Sequence, residues 1–133
     1  DSLNYLSRIN SNTSRREASY MRSRYLAPAY LYYDSDQHVS IIAERLTQVN
    51  MNVNQLVFNN MQHMDFDCSA GLKSFEKPTL ILQGVNDILG ISIAKNTHEL
   101  LPNSTLVLIE QCAHYVWLDQ PEKFFSSLAD FLN

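Results

Sequence analysis

Two side chains in the last third of the chain could do acid–base chemistry together. Asp87 lies in the loop Gln83-Gly84-Val85-Asn86-Asp87-Ile88-Leu89-Gly90, and His114 lies in Glu110-Gln111-Cys112-Ala113-His114-Tyr115. A carboxylate that accepts a hydrogen bond from one imidazole nitrogen fixes the tautomer and leaves the other nitrogen as a general base. Each residue alone has a plainer reading. An Asp after a strand is commonly a turn residue or a cap, and a lone His is commonly a surface or core residue. The pairing raises the functional reading, because each residue follows its own apolar run and the two stand 27 positions apart.

Those runs are the elements that must position the pair. Thr79-Leu80-Ile81-Leu82, closing at Gly84, and Thr105-Leu106-Val107-Leu108-Ile109 are continuously apolar. Such runs fit strands buried on both faces of a parallel sheet. Between them, Ile91–Leu101 reads as a helix ended by Pro102. Pro121–Leu132 reads as a final helix with Pro121 in its first turn and an apolar stripe of Phe124, Phe125, Leu128, Phe131 and Leu132. The order βαβα defines an α/β fold class with a parallel sheet and flanking helices. It sets both loops at the carboxyl ends of the strands, the edge where open α/β sheets hold their ligands.

Residues 1–76 have a different character, and 1–76 and 77–133 are expected to be separate regions. Arg15–Leu26 reads as a helix that stops before Pro28. From Asp36 to Asn50, Val39, Ile42, Ala43, Leu46 and Val49 recur at helical spacing, with Asp34, Ser35 and Asp36 as capping candidates. Asn52–Met64 repeats the pattern. Tyr30, Tyr32 and Tyr33 crowd a short connection. They could line a pocket, but core packing is the expectation.

The 133 residues are 45% hydrophobic and 18% charged, an ordinary globular balance that argues against disorder. Net charge is -4 with no basic patch, so nucleic acid is not an expected partner. Residues 75–133 carry three basic and seven acidic side chains and hold the whole excess. No apolar run is long enough to span a bilayer, and Asp1–Asn10 lack a signal-peptide pattern. Cys68 and Cys112 are too few for a disulfide framework, so free thiols in a reducing, cytoplasmic compartment are the expectation. Two parallel strands are not a stable sheet by themselves. The sheet is therefore expected to be incomplete in this chain and to continue upstream in the same polypeptide or in a partner chain.

Lys77–Asn133 resembles the C-terminal end of the α/β-hydrolase family. The resemblance rests on Lys77-Pro78-Thr79-Leu80-Ile81-Leu82-Gln83-Gly84-Val85-Asn86-Asp87, then the helix, then Ala113-His114, then Asp119-Gln120-Pro121-Glu122. In that family the strand ending Gly-x-x-Asp delivers the acid of the catalytic triad. The next strand is followed by Gly-His or Ala-His, which delivers the base. The resemblance therefore implies catalytic roles for Asp87 and His114. Ala113 stands where Gly is usual, and Asp119 where Glu is usual. The helical region 1–76 resembles the cap inserted before the last two strands. Its Arg24-Tyr25-Leu26-Ala27-Pro28 stretch is most similar to caps of the proline iminopeptidase branch, which removes N-terminal residues from peptides. In that branch cap carboxylates bind the substrate's amine. Glu17 and Glu44 are the only glutamates there before the linker, and solvated helix surface is the expected role for each.

The family's nucleophile sits in Gly-x-Ser-x-Gly on a strand-to-helix turn, upstream of the acid and base. The chain has three glycines, Gly71, Gly84 and Gly90, and none forms that motif. Ser69 is followed by Ala70-Gly71, but Asp67 stands where the first Gly belongs. The nucleophile and oxyanion donors are thus absent from this sequence, and the chain alone is expected to be inactive. Cys112 reads as a small buried side chain rather than an activated thiol. His38, His63 and His98 have no metal-ligand spacing with each other or with the cysteines, and the triad chemistry that the resemblance implies requires no metal or organic cofactor. Tyr115 or Trp117 would edge the site or pack the final helix. The implied function is a serine hydrolase acting on a short peptide or small molecule, with the rest of the hydrolase core as partner. An esterase, lactonase, epoxide or haloalkane hydrolase of the same fold is the alternative, as is a binding protein that has lost catalysis.

Overall fold

A computed structural model describes residues 14–133, and they pack as two compact units, divided between Val49 and Asn50. The first unit is helical. Helix α1 (Arg15–Leu26) starts at Ser14 with a reciprocal cap: Glu17 N–H donates to Ser14 Oγ (3.2 Å) and Ser14 N–H to Glu17 Oε2 (2.9 Å). Those bonds hold the exposed Glu17 carboxyl below its usual range. The chain then tightens into a 3-10 turn, Ala27–Tyr30, with Pro28 inside it. Helix α2 (Asp36–Leu46) is capped by Ser35, whose Oγ accepts the His38 N–H at 3.2 Å. The Arg24 guanidinium ties the two helices, donating to Asp36 and, at 2.7 Å, to Ser40 Oγ. Ala18, Ala27, Leu31, Val39, Ile42 and Ala43 are the buried apolar residues here.

Two expectations change in this unit. Helix α2 ends at Leu46 rather than running to Asn50. Thr47 closes it, with Oγ1 donating to the Glu44 carbonyl at 2.6 Å, and Val49 is left exposed. Tyr32 and Tyr33 are not core either: they are 40% and 44% exposed and meet edge to face at 4.9 Å, while Tyr30 is half-buried.

The second unit begins with helix α3 (Met51–His63), capped by Asn50, whose Oδ1 accepts the Val53 N–H at 3.2 Å. No residue of α3 is buried, and Leu56 is 68% exposed. A short helix α4 (Ser69–Lys73) that the pattern does not predict follows. Helices α3 and α4, which the sequence groups with region 1–76, fall in the unit that holds the sheet. Strand β1 (Thr79–Gly84) leads through helix α5 (Ile91–Leu100) to strand β2 (Ser104–Ile109). The strands are parallel, in register from Thr79 opposite Ser104 to Gly84 opposite Ile109. A short helix α6 (Val116–Asp119) and the final helix α7 (Pro121–Leu132) complete the unit. Ile109, Cys112 and Val116 form its buried core, with Leu82, Val107 and Phe124 packed on them.

The strands differ from the expectation of burial on both faces. Only Gly84 of β1 and Ile109 of β2 are buried, and the other residues stay partly or fully open. Among the described residues each strand pairs only with the other, so the described sheet has neither the strands nor the cover that bury such sequences. Among the described residues no helix is long and apolar enough to cross a membrane.

Candidate functional site

The site grows from the last paired residues of the two strands. Beyond Gly84 and Ile109 the ladder continues into the loops. Val85 N–H donates to the Ile109 carbonyl and Asn86 N–H to the Cys112 carbonyl, both at 2.9 Å. These bonds splice the two loops side by side. Gly84 lets them touch: a methyl group there would stand 2.2 Å from the Ala113 oxygen and 2.4 Å from the Cys112 oxygen.

The two loops bring Asp87 and His114 together. His114 Nδ1 lies 3.1 Å from both Asp87 Oδ1 and Oδ2. The Asp87 side chain is 6% exposed and that of His114 is 35% exposed. The carboxylate is thus shielded while the imidazole reaches solvent. Asp87 also serves as a turn residue, since its Oδ1 accepts the Leu89 N–H at 3.0 Å. That bond orients the carboxylate that meets the imidazole, so Asp87 is a turn residue as well as the partner of His114. With Nδ1–H donated to Asp87, Nε2 would keep a lone pair that can accept a proton. The Tyr115 ring stands edge-on to His114 at 5.2 Å, and Trp117 stands edge-on to Tyr115 at 5.3 Å and tilted against Phe124 of α7 at 6.0 Å. Tyr115 therefore edges the site and Trp117 packs toward the final helix.

The other candidates are used elsewhere. Ser69 opens α4, and the Asp67 carboxylate accepts both its N–H (2.8 Å) and its Oγ–H (2.5 Å). Those bonds hold the Asp67 carboxyl below its usual range. Cys112 is fully buried, and burial, followed by the nearby Asp119 and Asp87 charges, pushes its thiol up to about 11. A thiol so raised is a poor nucleophile at neutral pH. His98 Nδ1 meets Ser104 Oγ at 2.8 Å beside the start of β2, and His38 Nδ1 meets the Tyr33 carbonyl oxygen at 3.2 Å. Glu17 is in the α1 cap, and Glu44 lies 3.7 Å from Arg16 on open helix surface. Among the described residues no group of three or more His, Cys, Asp or Glu side chains could hold a metal ion.

Sequence and structure comparisons bear on the fold. No protein-family model matches the chain. Over 68 residues it is 31% identical to the proline iminopeptidase of Levilactobacillus brevis, covering 51% of this chain and 23% of that protein. Over 62 residues it is 39% identical to YugF, an uncharacterized hydrolase of Bacillus subtilis, covering 46% and 23%. A solved α/β fold family hydrolase from Bacillus anthracis superposes on 97% of this chain and 45% of its own, with TM-score 0.67 and 24% identity. The fold is thus that of an α/β-hydrolase. The chain corresponds to the C-terminal portion of that fold, and its relatives are proline iminopeptidases and other α/β-hydrolases. It spans about a quarter of the length of the curated relatives it matches.

Proposed function

We propose that the chain supplies the acid and the base of a Ser-Asp-His triad in a serine hydrolase of the α/β-hydrolase fold, as its cap and last two strands. The observation that carries this reading is the approach of His114 Nδ1 to both oxygens of the shielded Asp87 carboxylate, at the carboxyl ends of adjacent parallel strands. The nucleophilic Ser and the oxyanion donors come from the rest of the core, upstream in the same polypeptide or in a partner chain. The half-open strands of the two-stranded sheet support the need for that remainder.

In this mechanism Asp87 holds the tautomer with Nδ1 protonated. His114 Nε2 takes the Ser Oγ proton as Oγ attacks the substrate carbonyl. Asp87 stabilises the resulting imidazolium, which passes its proton to the leaving group. Water then attacks the acyl carbon as Nε2 takes its proton, the C–Oγ bond breaks to free the acid, and Nε2 returns the proton to Ser Oγ. The favoured bond is the peptide bond after an N-terminal residue, a reading supported by the likeness to a proline iminopeptidase. The chain alone lacks the nucleophile and is inactive.

The test uses the full-length polypeptide. His114→Ala should abolish labelling by a fluorophosphonate while the melting temperature holds. Retained labelling removes His114 from the triad. A prolyl-arylamide compared with an aryl ester then sets the branch: preference for the arylamide supports the peptidase, and hydrolysis of the ester alone rejects it.

A further inference from the structure

The geometry points to Asp119 as the positioning residue that sets His114 against Asp87, an inference that rests on the triad reading. Asp119 brackets His114 from both sides. Its Oδ2 accepts the N–H of Ala113, the residue before His114, at 2.9 Å. Its own N–H donates to the carbonyl of Tyr115, the residue after, at 3.1 Å. The residue is 6% exposed. A carboxylate taken out of water is costly unless it is bonded, and a bond from N–H to a carboxylate is stronger than one to a neutral acceptor.

The segment it holds does not rest in its most relaxed path. Gln111 has φ +52°, in the left-handed region unfavourable to a side chain. The bend needs fastening, and hydrogen bonds with Gln120, Asn86 and Asp119 contribute to it. Gln120 Nε2 donates to the Gln111 carbonyl at 3.1 Å, Asn86 N–H to the Cys112 carbonyl, and Ala113 N–H to Asp119. The last two grip opposite edges of one peptide unit, Cys112–Ala113, directly before His114: Asn86 holds its carbonyl and Asp119 its N–H. The Asp119 carboxylate is the side-chain half of that grip, and it helps fix the backbone from which the imidazole projects and through it the distance to Asp87. A displacement of about 1 Å in a catalytic group costs on the order of 100-fold in rate.

The test compares Asp119→Asn, which keeps an oxygen where Oδ2 stands, with Asp119→Ala, which removes it, in the full-length hydrolase. Rates are taken per active site, counted by fluorophosphonate stoichiometry, so that loss of folded protein does not enter. Asp119→Ala should lower kcat roughly 100-fold with KM unchanged, and the Ala113 amide should lose its protection from hydrogen exchange. Asp119→Asn should retain most of the rate and the protection. A wild-type rate per site in Asp119→Ala overturns the inference and leaves Asp119 a stability residue. Where Asp119→Ala does not fold, Asp119→Asn decides. A protected Ala113 amide with most of the rate supports the positioning role, and an exchanging amide with the full rate overturns it. Labelling that survives His114→Ala overturns the triad itself, a separate outcome from any seen at Asp119.

Discussion

Gly84 and Ala113 approach so closely that any side chain at Gly84 would enter the Ala113 carbonyl oxygen, with 2.2 Å between oxygen and methyl carbon. The obstructing atoms are backbone of the loop that carries His114, so no rotamer change relieves them. Gly84→Ala should therefore destabilise the protein by about 2 kcal/mol or more, and should move the His114 loop. Urea unfolding measures the first effect and the rate per active site the second. Wild-type stability would mean that the two loops sit farther apart than described.

Asp87 and His114 should fail together in the full-length enzyme. Asp87→Asn keeps the shape and the turn but loses the charge that stabilises the imidazolium. By analogy with serine hydrolases of established triad, kcat should fall by about 10⁴-fold with little change in melting temperature. Steady-state kinetics on an activated ester checks this. A loss of less than tenfold would reduce Asp87 to its turn role.

The two thiols should react differently. Cys68 is exposed and Cys112 is buried, so an aromatic disulfide reagent should titrate one thiol in the folded protein at neutral pH and two in denaturant. The raised Cys112 also has a pH signature. An ordinary thiol ionises at 9.0, and the folded state delays this to about 11. Folding is therefore favoured in full below about pH 9, and that contribution is lost as pH rises towards 11. The alkaline fall in melting temperature should be shallower in Cys112→Ala, and equal slopes would contradict the assignment.

The 133-residue chain alone should unfold over a broad range and bind a dye for exposed apolar surface. Met51, Val53, Leu56, Val57 and Phe58 of α3 are all at least half exposed, and both strands are half-open. A sharp two-state melt of a monomer would show that the missing sheet is not needed.

Much of this was legible in the residues. The runs around Ile81 and Val107 became strands because β-branched and aliphatic residues without alternation fit a pleated interior, and Pro102 and Pro121 mark the ends of their neighbours. Asp87 and His114 could be paired because parallel topology sends both loops to one edge. Less visible were features that depend on backbone partners. Asp119 matches a motif letter, but the Ala113 amide it receives has no sequence signature. The α4 helix starts where Asp67 accepts the Ser69 N–H, an interaction too local to alter the apolar period. Tyr32 and Tyr33 mislead because aromatic content suggests a core, whereas a phenol is equally at home half in water.

The parallel pairing of β1 with β2 also has a consequence for dissection of the molecule. Asp87 and His114, the proposed acid and base, follow the two strands of one uninterrupted strand–helix–strand stretch, so a cut anywhere before Lys77 leaves them on the same piece. If the nucleophile lies upstream, such a cut divides the chemistry cleanly into two inert halves. Fused to two interacting proteins, those halves would form a reporter that regains activity only on association.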